Sequence, residues 1–338
     1  MKNLKKIALL LILSVLMVAC SNGENNVDKE TEKTKETVVE TKKTDVKVGT
    51  IKGFPGIGIV NLMDENEKGN TENNYEFTIG GAPDELNAKL ISGELDIATI
   101  PTNMAATLYN KTNGEIEILA VNTLGVIKLV STDESIKSLD DIKGKEVSAS
   151  GKGAIPQYTF EYILNKKGIN PKNDVNITYY PGHEEISGLL SAGQVSIATI
   201  PEPTLSKVMA ENEDIKIVSD LTDEWNKIEE NIILSQGCTV ISKKFAEENK
   251  EALNDFIKEY KKSCDLVHSD LENTAKNCGK FNIVPEKIAL EAIPKSNQVY
   301  IDGEEMKTKL KPFFEILFDA NPESVGGKLP DDNFYFTK

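Results

Sequence analysis

The stretch from Ser150 to Tyr158, Ser-Gly-Lys-Gly-Ala-Ile-Pro-Gln-Tyr, carries the residue types best suited to binding chemistry. Small residues at Ser150, Gly151, Gly153 and Ala154 bring backbone N–H groups to the surface. Pro156 fits a first helical turn, and a helix N-terminus there points partial positive charge at a ligand. Lys152 either adds charge for an anion or stands solvated, and Gln157 and Tyr158 complete the stretch. Its two glycines do not amount to a dinucleotide fingerprint, so the alternative is a plain strand–helix turn. Six further loops offer matching groups: Phe54-Pro55, Gly80-Gly81, Pro101-Thr102-Asn103, Asn122-Thr123, Pro201-Glu202 and Gln236. Phe54 presents a flat face to a ring or packs in the core. Thr102, Asn103, Asn122 and Gln236 supply neutral hydrogen bonds. Glu202 is a carboxylate, which favours a cation or an N–H donor such as an aminopyrimidine. Trp225, the only tryptophan, is expected to pack within the protein rather than stack on a ligand.

Composition narrows the chemistry. All 39 basic residues are lysine, so no guanidinium is available to clamp a carboxylate, phosphate or sulfonate in bidentate fashion. Net charge −15 argues against nucleic acid and anionic membrane surfaces as partners. With only His183 and His268, a histidine-rich metal site is not available, and both histidines read as surface residues. Cys238, Cys264 and Cys278 lack CxxC spacing. A Cys264–Cys278 bridge stands open beside free, partly buried thiols, and the free state is the expectation. With no cysteine cluster, metal-ligand spacing or nucleophile–base pair, the sequence gives no support to an enzyme and calls for no cofactor.

These loops need elements to hold them, and the chain writes the essential one twice. Glu85–Pro101 (ELNAKLISGELDIATIP) and Glu185–Pro201 (EISGLLSAGQVSIATIP) align without a gap and share the ending Ile-Ala-Thr-Ile-Pro. Leu86, Leu90 and Ile91, like Ile186, Leu189 and Leu190, recur at helical spacing. Gly93 and Gly193 suit a left-handed helix end. The short apolar run that follows suits a strand buried in a parallel sheet, stopped by a proline that has no N–H for the ladder. Two such units predict two α/β lobes with a cleft at the strand ends.

Around them, strands are expected at Val46–Ile51, Tyr75–Ile79, Ile116–Val121, Val126–Val130, near Val147, Val175–Tyr180 and Ile215–Val218. Ile57–Met63 is apolar-periodic, Leu139–Lys145 a short helix, and Thr102 or Asn103 an N-cap. The runs Ile116–Val121 and Val126–Val130 look like one crossing between lobes, and Ile232–Ile241 like the return. Lys243–Lys338 reads as amphipathic helix broken at Pro285, Pro294 and Pro312, wrapping the first lobe.

The chain begins with Lys2, Lys5 and Lys6, an apolar run Ile7–Val18, and Met-Val-Ala-Cys ending at Cys20. This resembles a bacterial lipoprotein signal, with Cys20 lipidated at the mature N-terminus. Ser21–Asp45 has almost no bulky apolar residue and reads as a disordered tether of roughly 25–30 Å reach.

Together the signal, the tether, the duplicated helix–Gly–strand–Pro unit and SLDDIKGKEVSASGKGAIPQYTFEYIL resemble the ABC-importer substrate-binding proteins for nitrate, sulfonates, taurine and thiamine-precursor pyrimidines. The likeness covers Val46–Lys338. It implies a type II periplasmic-binding-protein fold with a hinge of two crossing strands. Residues 46–125 and 236–338 would form lobe I and residues 126–235 lobe II. It further implies a lipid-anchored, extracytoplasmic monomer that closes on a small polar ligand, heteroaromatic metabolites included, and delivers it to an ABC permease and its ATPase. An enzyme of the same fold and a sensor subunit are the rival readings. The missing arginine departs from members that clamp acid groups with a guanidinium.

Overall fold

The repeated unit folds the same way twice in the computed structural model, which describes residues 43–337. The first half runs β1 (Asp45–Ile51), α1 (Val60–Glu67), β2 (Asn74–Gly80), α2 (Pro83–Ser92), β3 (Ile97–Pro101), α3 (Thr102–Lys111) and β4 (Ile116–Leu124). The second runs β5 (Ile127–Ser131), β6 (Glu146–Ser150), α4 (Ile155–Lys166), β7 (Asn176–Tyr180), α5 (His183–Ser191), β8 (Ile197–Pro201) and α6 (Thr204–Glu211). There follow β9 (Lys216–Asp220), α7 (Leu221–Ile228), β10 (Ser235–Ser242), α8 (Lys243–Glu248), α9 (Lys250–Ser269), α10 (Leu271–Lys280), α11 (Glu286–Ala292), β11 (Gln298–Asp302) and α12 (Gly303–Ala320).

A six-stranded sheet has the order β11-β4-β10-β3-β1-β2 and a five-stranded sheet the order β7-β6-β8-β5-β9. In each, β2-β1-β3 or β7-β6-β8 is parallel and an antiparallel strand, β10 or β5, lies against the repeated strand. The Ile-Ala-Thr-Ile segments of β3 and β8 are fully buried, as strands covered on both faces must be. Gly93 caps α2 at φ 75°, the left-handed end that glycine adopts without a Cβ penalty.

The structure corrects several expectations. Asn122 and Thr123 lie inside β4 and Gln236 inside β10 rather than in loops. Residues 54–59 form a 3-10 turn before α1, and the short helix expected over 139–145 is a 3-10 helix confined to 139–142. Neither Thr102 nor Asn103 caps α3, because the helix already begins at Thr102 and Pro101 takes the cap position; the Thr102 hydroxyl is bonded to Ser235. Pro312 sits inside an unbroken α12, and the tail adds an unforeseen strand, β11. The tail also reaches the second sheet's helices: Phe313 meets Trp225 edge-on at 5.7 Å, and Asn321 donates to the Tyr158 hydroxyl at 2.9 Å. Trp225 is fully buried, as expected, and Cys238, Cys264 and Cys278 are free and buried. No helix among the described residues is long and apolar enough to cross a membrane. Cys20 and the tether lie outside the described residues, apart from Lys43–Asp45, where β1 already begins.

Candidate ligand-binding cleft

The carboxyl ends of the parallel strands gather the candidate residues into two edges. The first edge holds Gly80, Pro101 and the end of β4, joined by the start of β10, where Gly237 pairs with Pro101. The second holds Ser150, Tyr180 and Pro201, joined by the start of β5, where Ile127 pairs with Pro201. Only Gly125 and Val126 separate β4 from β5, so the two edges meet at that link. The Glu202 N–H bonds to Val126 O at 3.0 Å, and Asn297 Nδ2 holds Gly125 O at 2.6 Å.

On the first edge most polar side chains are already bonded. Thr102 Oγ1 and Ser235 Oγ are 2.7 Å apart, and Asn103 Nδ2 donates to Ser324 O at 3.2 Å. Asn122 Nδ2 donates to Thr239 Oγ1 at 3.3 Å, and Thr123 Oγ1 donates to Asn122 Oδ1 at 2.8 Å. Gly80 is buried, and its neighbour Gly81 is exposed and donates to Glu85 Oε2 at 3.0 Å. Gln236 occupies a bulge, where the β10–β4 register shifts between Ser235 and Gly237. Bulges re-aim side chains at sheet rims, and Gln236 Nε2 is buried without a partner. Phe54 packs with Val126, Ile283 and Val284, taking its core role in this conformation, while Pro55 is half-buried beside it.

The glycine loop on the second edge is not an open nest of donors. Lys152 N–H bonds to Tyr180 O at 3.0 Å, and Ala154 N–H to Gly151 O at 3.0 Å. Gly153 N–H bonds to Gln157 Oε1 at 2.9 Å, so the Gln157 side chain closes the loop rather than facing a ligand. Its Nε2 donates to Glu161, and Tyr158 is turned towards Asn321. Gly151, at φ 79°, lies so close to Pro156 that a Cβ would meet its Cγ at 2.6 Å. What remains open is Ser150 Oγ, buried without a partner, and the exposed Lys152. Glu202 Oε2 accepts the Ser206 N–H at 2.9 Å, and Oε1 is buried without a partner. Burial pushes the Glu202 carboxyl above the usual range, against the Ser206 bonds and the nearby Lys295 and Lys128 ammoniums.

Sequence reasoning passed over two features of this edge. Lys128 stands in the apolar run of β5, yet it is buried and paired with Asp220 on β9. A lysine inside an otherwise apolar strand was the available signal. The repeat also maps Gly80–Pro83 onto Tyr180–His183, which places His183 at the same edge. There it is exposed, while surrounding protein still pushes its imidazole pKa below the ordinary value.

The family model for ABC transporter, phosphonate, periplasmic substrate-binding protein matches residues 68–277, more than half of the chain. Among solved structures, an ABC transporter protein from Parabacteroides distasonis is similar at TM-score 0.74 and 22% identity, over 88% of this chain and 100% of that one. The aliphatic sulphonate binding protein SsuA from Escherichia coli is similar at TM-score 0.68 and 15% identity, over 88% and 93%. A ligand binding component of an ABC-type import system from Staphylococcus aureus, with zinc bound, is similar at 0.63 and 13%, over 87% and 97%. No curated protein sequence matches the chain. These structural likenesses carry the fold, a periplasmic-binding-protein architecture of two sheets flanked by helices. The chain belongs to the periplasmic substrate-binding proteins of ABC transporters, in the phosphonate family, and is a transport component rather than an enzyme.

Proposed function

We propose that the protein is a membrane-tethered receptor that captures one small polar ligand between the two strand edges and hands it to an ABC permease. The observation that carries this reading is the set of buried side-chain atoms without partners at those edges: Ser150 Oγ, Glu202 Oε1, Gln236 Nε2 and, on β11, Gln298 Oε1. These are four of the ten such atoms among the described residues; a folded protein pairs most of its buried polar atoms, so unpaired ones at strand ends, where folds of this kind bind ligands, support a ligand there. Residues 46–125 with 236–338 form one lobe and 126–235 the other, with the Gly125–Val126 link and the return segment after α7 as hinge. Binding free energy then shifts the balance between open and closed forms, and no bond is made or broken. Cys20, as the lipidated residue, tethers the receptor to the outer face of the cell membrane as a monomer, and the permease works with its ATPase.

Native mass spectrometry of the protein purified without denaturant, compared with its denatured mass, tests the reading. A small retained mass that leaves on denaturation is the expected result, and fragmentation gives its class. A protein that chemically converts its retained molecule refutes the receptor reading.

A further inference from the structure

Helix α12 packs towards both sheets at once. Phe313 and Phe314 are neighbours in the chain and about 100° apart around the helix, so they leave it in different directions. Phe314 meets Phe334 at 5.6 Å, and Phe334 meets Tyr109 of α3 at 5.1 Å. Helix α3 packs on β3, β4 and β10 of the six-stranded sheet. Phe313 meets Trp225 of α7 at 5.7 Å, and Trp225 meets Tyr162 of α4 at 5.2 Å. Helices α4 and α7 pack on β6, β5 and β9 of the five-stranded sheet. With 6.4 Å between Phe313 and Phe314, the rings form one aromatic row from one sheet's helices to the other's. Hydrogen bonds fasten the same helix on each side. The Ile233 N–H, in the segment leading back into β10, donates to Lys309 O at 3.2 Å. Asn321, just past α12, donates to the Tyr158 hydroxyl of α4 at 2.9 Å. On the other side the turn after α12 is held to α3, where Asn103 Nδ2 donates to Ser324 O at 3.2 Å and Asn110 Nδ2 to Val325 O at 2.8 Å.

We propose that α12 is a strap that limits how far the two sheets separate, a connection added to the Gly125–Val126 link and the return segment. It goes beyond the receptor reading and rests on one part of it, that the sheets move as two lobes. Rotation about the two crossing segments moves α3 relative to α4 and α7, so α12 cannot follow both sides without a change in its contacts. Packed helices tolerate small sliding, but a hydrogen bond of fixed length and a buried ring edge both resist separation. Ile233 belongs to the return segment itself, so the Lys309 carbonyl holds the crossing as well as its neighbours. A narrower range of open forms raises the fraction of the receptor near its binding geometry.

Pulsed EPR distances on the ligand-free full chain test it. Spin labels go on Asp84→Cys and Glu184→Cys, exposed positions equivalent in the repeat, in the first turns of α2 and α5. Cys238, Cys264 and Cys278 are buried, and Cys20→Ser removes the remaining thiol. The labelled chain is compared with one that also carries Tyr158→Phe and Phe313→Leu, which delete the hydroxyl that holds Asn321 and the ring against Trp225. The expected result is a distance distribution that is broader and several ångström longer in the loosened chain. In the same chain the Ile233 amide should exchange about five-fold faster, the weight of one hydrogen bond. Should the double change unfold the protein, Tyr158→Phe alone is read in the same way, with a smaller lengthening. Identical distance distributions, or Ile233 exchange equal to wild type, overturn the strap. The retained mass reports separately on the receptor: a retained ligand beside identical distributions upholds capture and refutes the strap, and a lengthened distance without any retained ligand upholds the strap alone.

Discussion

Gly125 is the residue on which the link between the two edges is most exposed to a single atom. A Cβ built there falls on Thr222 Oγ1, deep inside van der Waals contact, and within 3.2 Å of both Thr222 Cβ and Leu234 Cδ2. The backbone has little room to recoil, because Asn297 Nδ2 holds Gly125 O at 2.6 Å and Glu202 N–H holds Val126 O at 3.0 Å. Overpacking of this kind costs roughly 1–3 kcal/mol, and the overlap places Gly125→Ala near the middle, about 2 kcal/mol. For a folded chain of this size that lowers Tm by about 3 °C. Thr222 Oγ1 is buried without a partner, so Thr222→Ala alone sacrifices no hydrogen bond. In the double variant the worst overlap disappears and the 3.2 Å contacts with the Cβ at position 222 and with Leu234 remain. The double should therefore recover about half the loss, a coupling on the order of 1 kcal/mol between the two sites. Urea unfolding of the four ligand-free proteins measures it. If Gly125→Ala lies within about 0.5 kcal/mol of wild type, or the single effects simply add, the tightly held link described here is wrong.

Two further outcomes follow from the packing around the hinge and the first sheet. The Asp64 carboxyl is raised by partial burial but pulled down further by Lys280 at 2.8 Å and Lys68 at 2.6 Å, so it lies below its ordinary 3.8. A depressed carboxyl contributes stability above its unfolded value and loses it as pH falls through the folded one. Asp64→Asn should therefore cost about 1 kcal/mol at neutral pH and show no such loss below about pH 4. Unfolding midpoints against pH check this, and curves that stay parallel to wild type down to pH 2 refute it. Trp225 donates to Ile232 O at 2.6 Å in the return segment and packs against Tyr162 and Phe313 at 5.2 and 5.7 Å. As the sole tryptophan, it should change its emission when a ligand closes the lobes; unchanged emission alongside a raised Tm would place the moving part elsewhere.

The repeat was legible because its physics is local: in each copy an apolar helix face, a left-handed glycine and a buried run stopped by proline lie within a few residues of one another and fix β3 and β8. Pro312 was misread because the rule that proline ends a helix weighs only the backbone. The lost bond and ring clash cost about 3 kcal/mol, whereas fully burying a large apolar side chain contributes about 1.5–3 kcal/mol. Four such side chains around it, Leu310, Phe313, Phe314 and Leu317, are buried in α12 and outweigh that cost. The same imbalance explains the cleft. Residue types and their gathering at strand ends could be read from the chain, since loops after parallel strands lie together in any fold of this kind. Whether each polar atom is free could not. The Gly153 N–H is taken by a side chain four residues on, Thr102 by Ser235 and Lys128 by Asp220, the last two from distant parts of the chain. Glu202 shows the point in reverse. At the level of sequence it differs from Thr102 only in type, but its local bond to Ser206 uses one carboxylate oxygen and leaves the second buried and unpaired. Specificity in such a cleft therefore resides in the few atoms that the fold leaves unpaired, and those become visible only when every other partner has been placed.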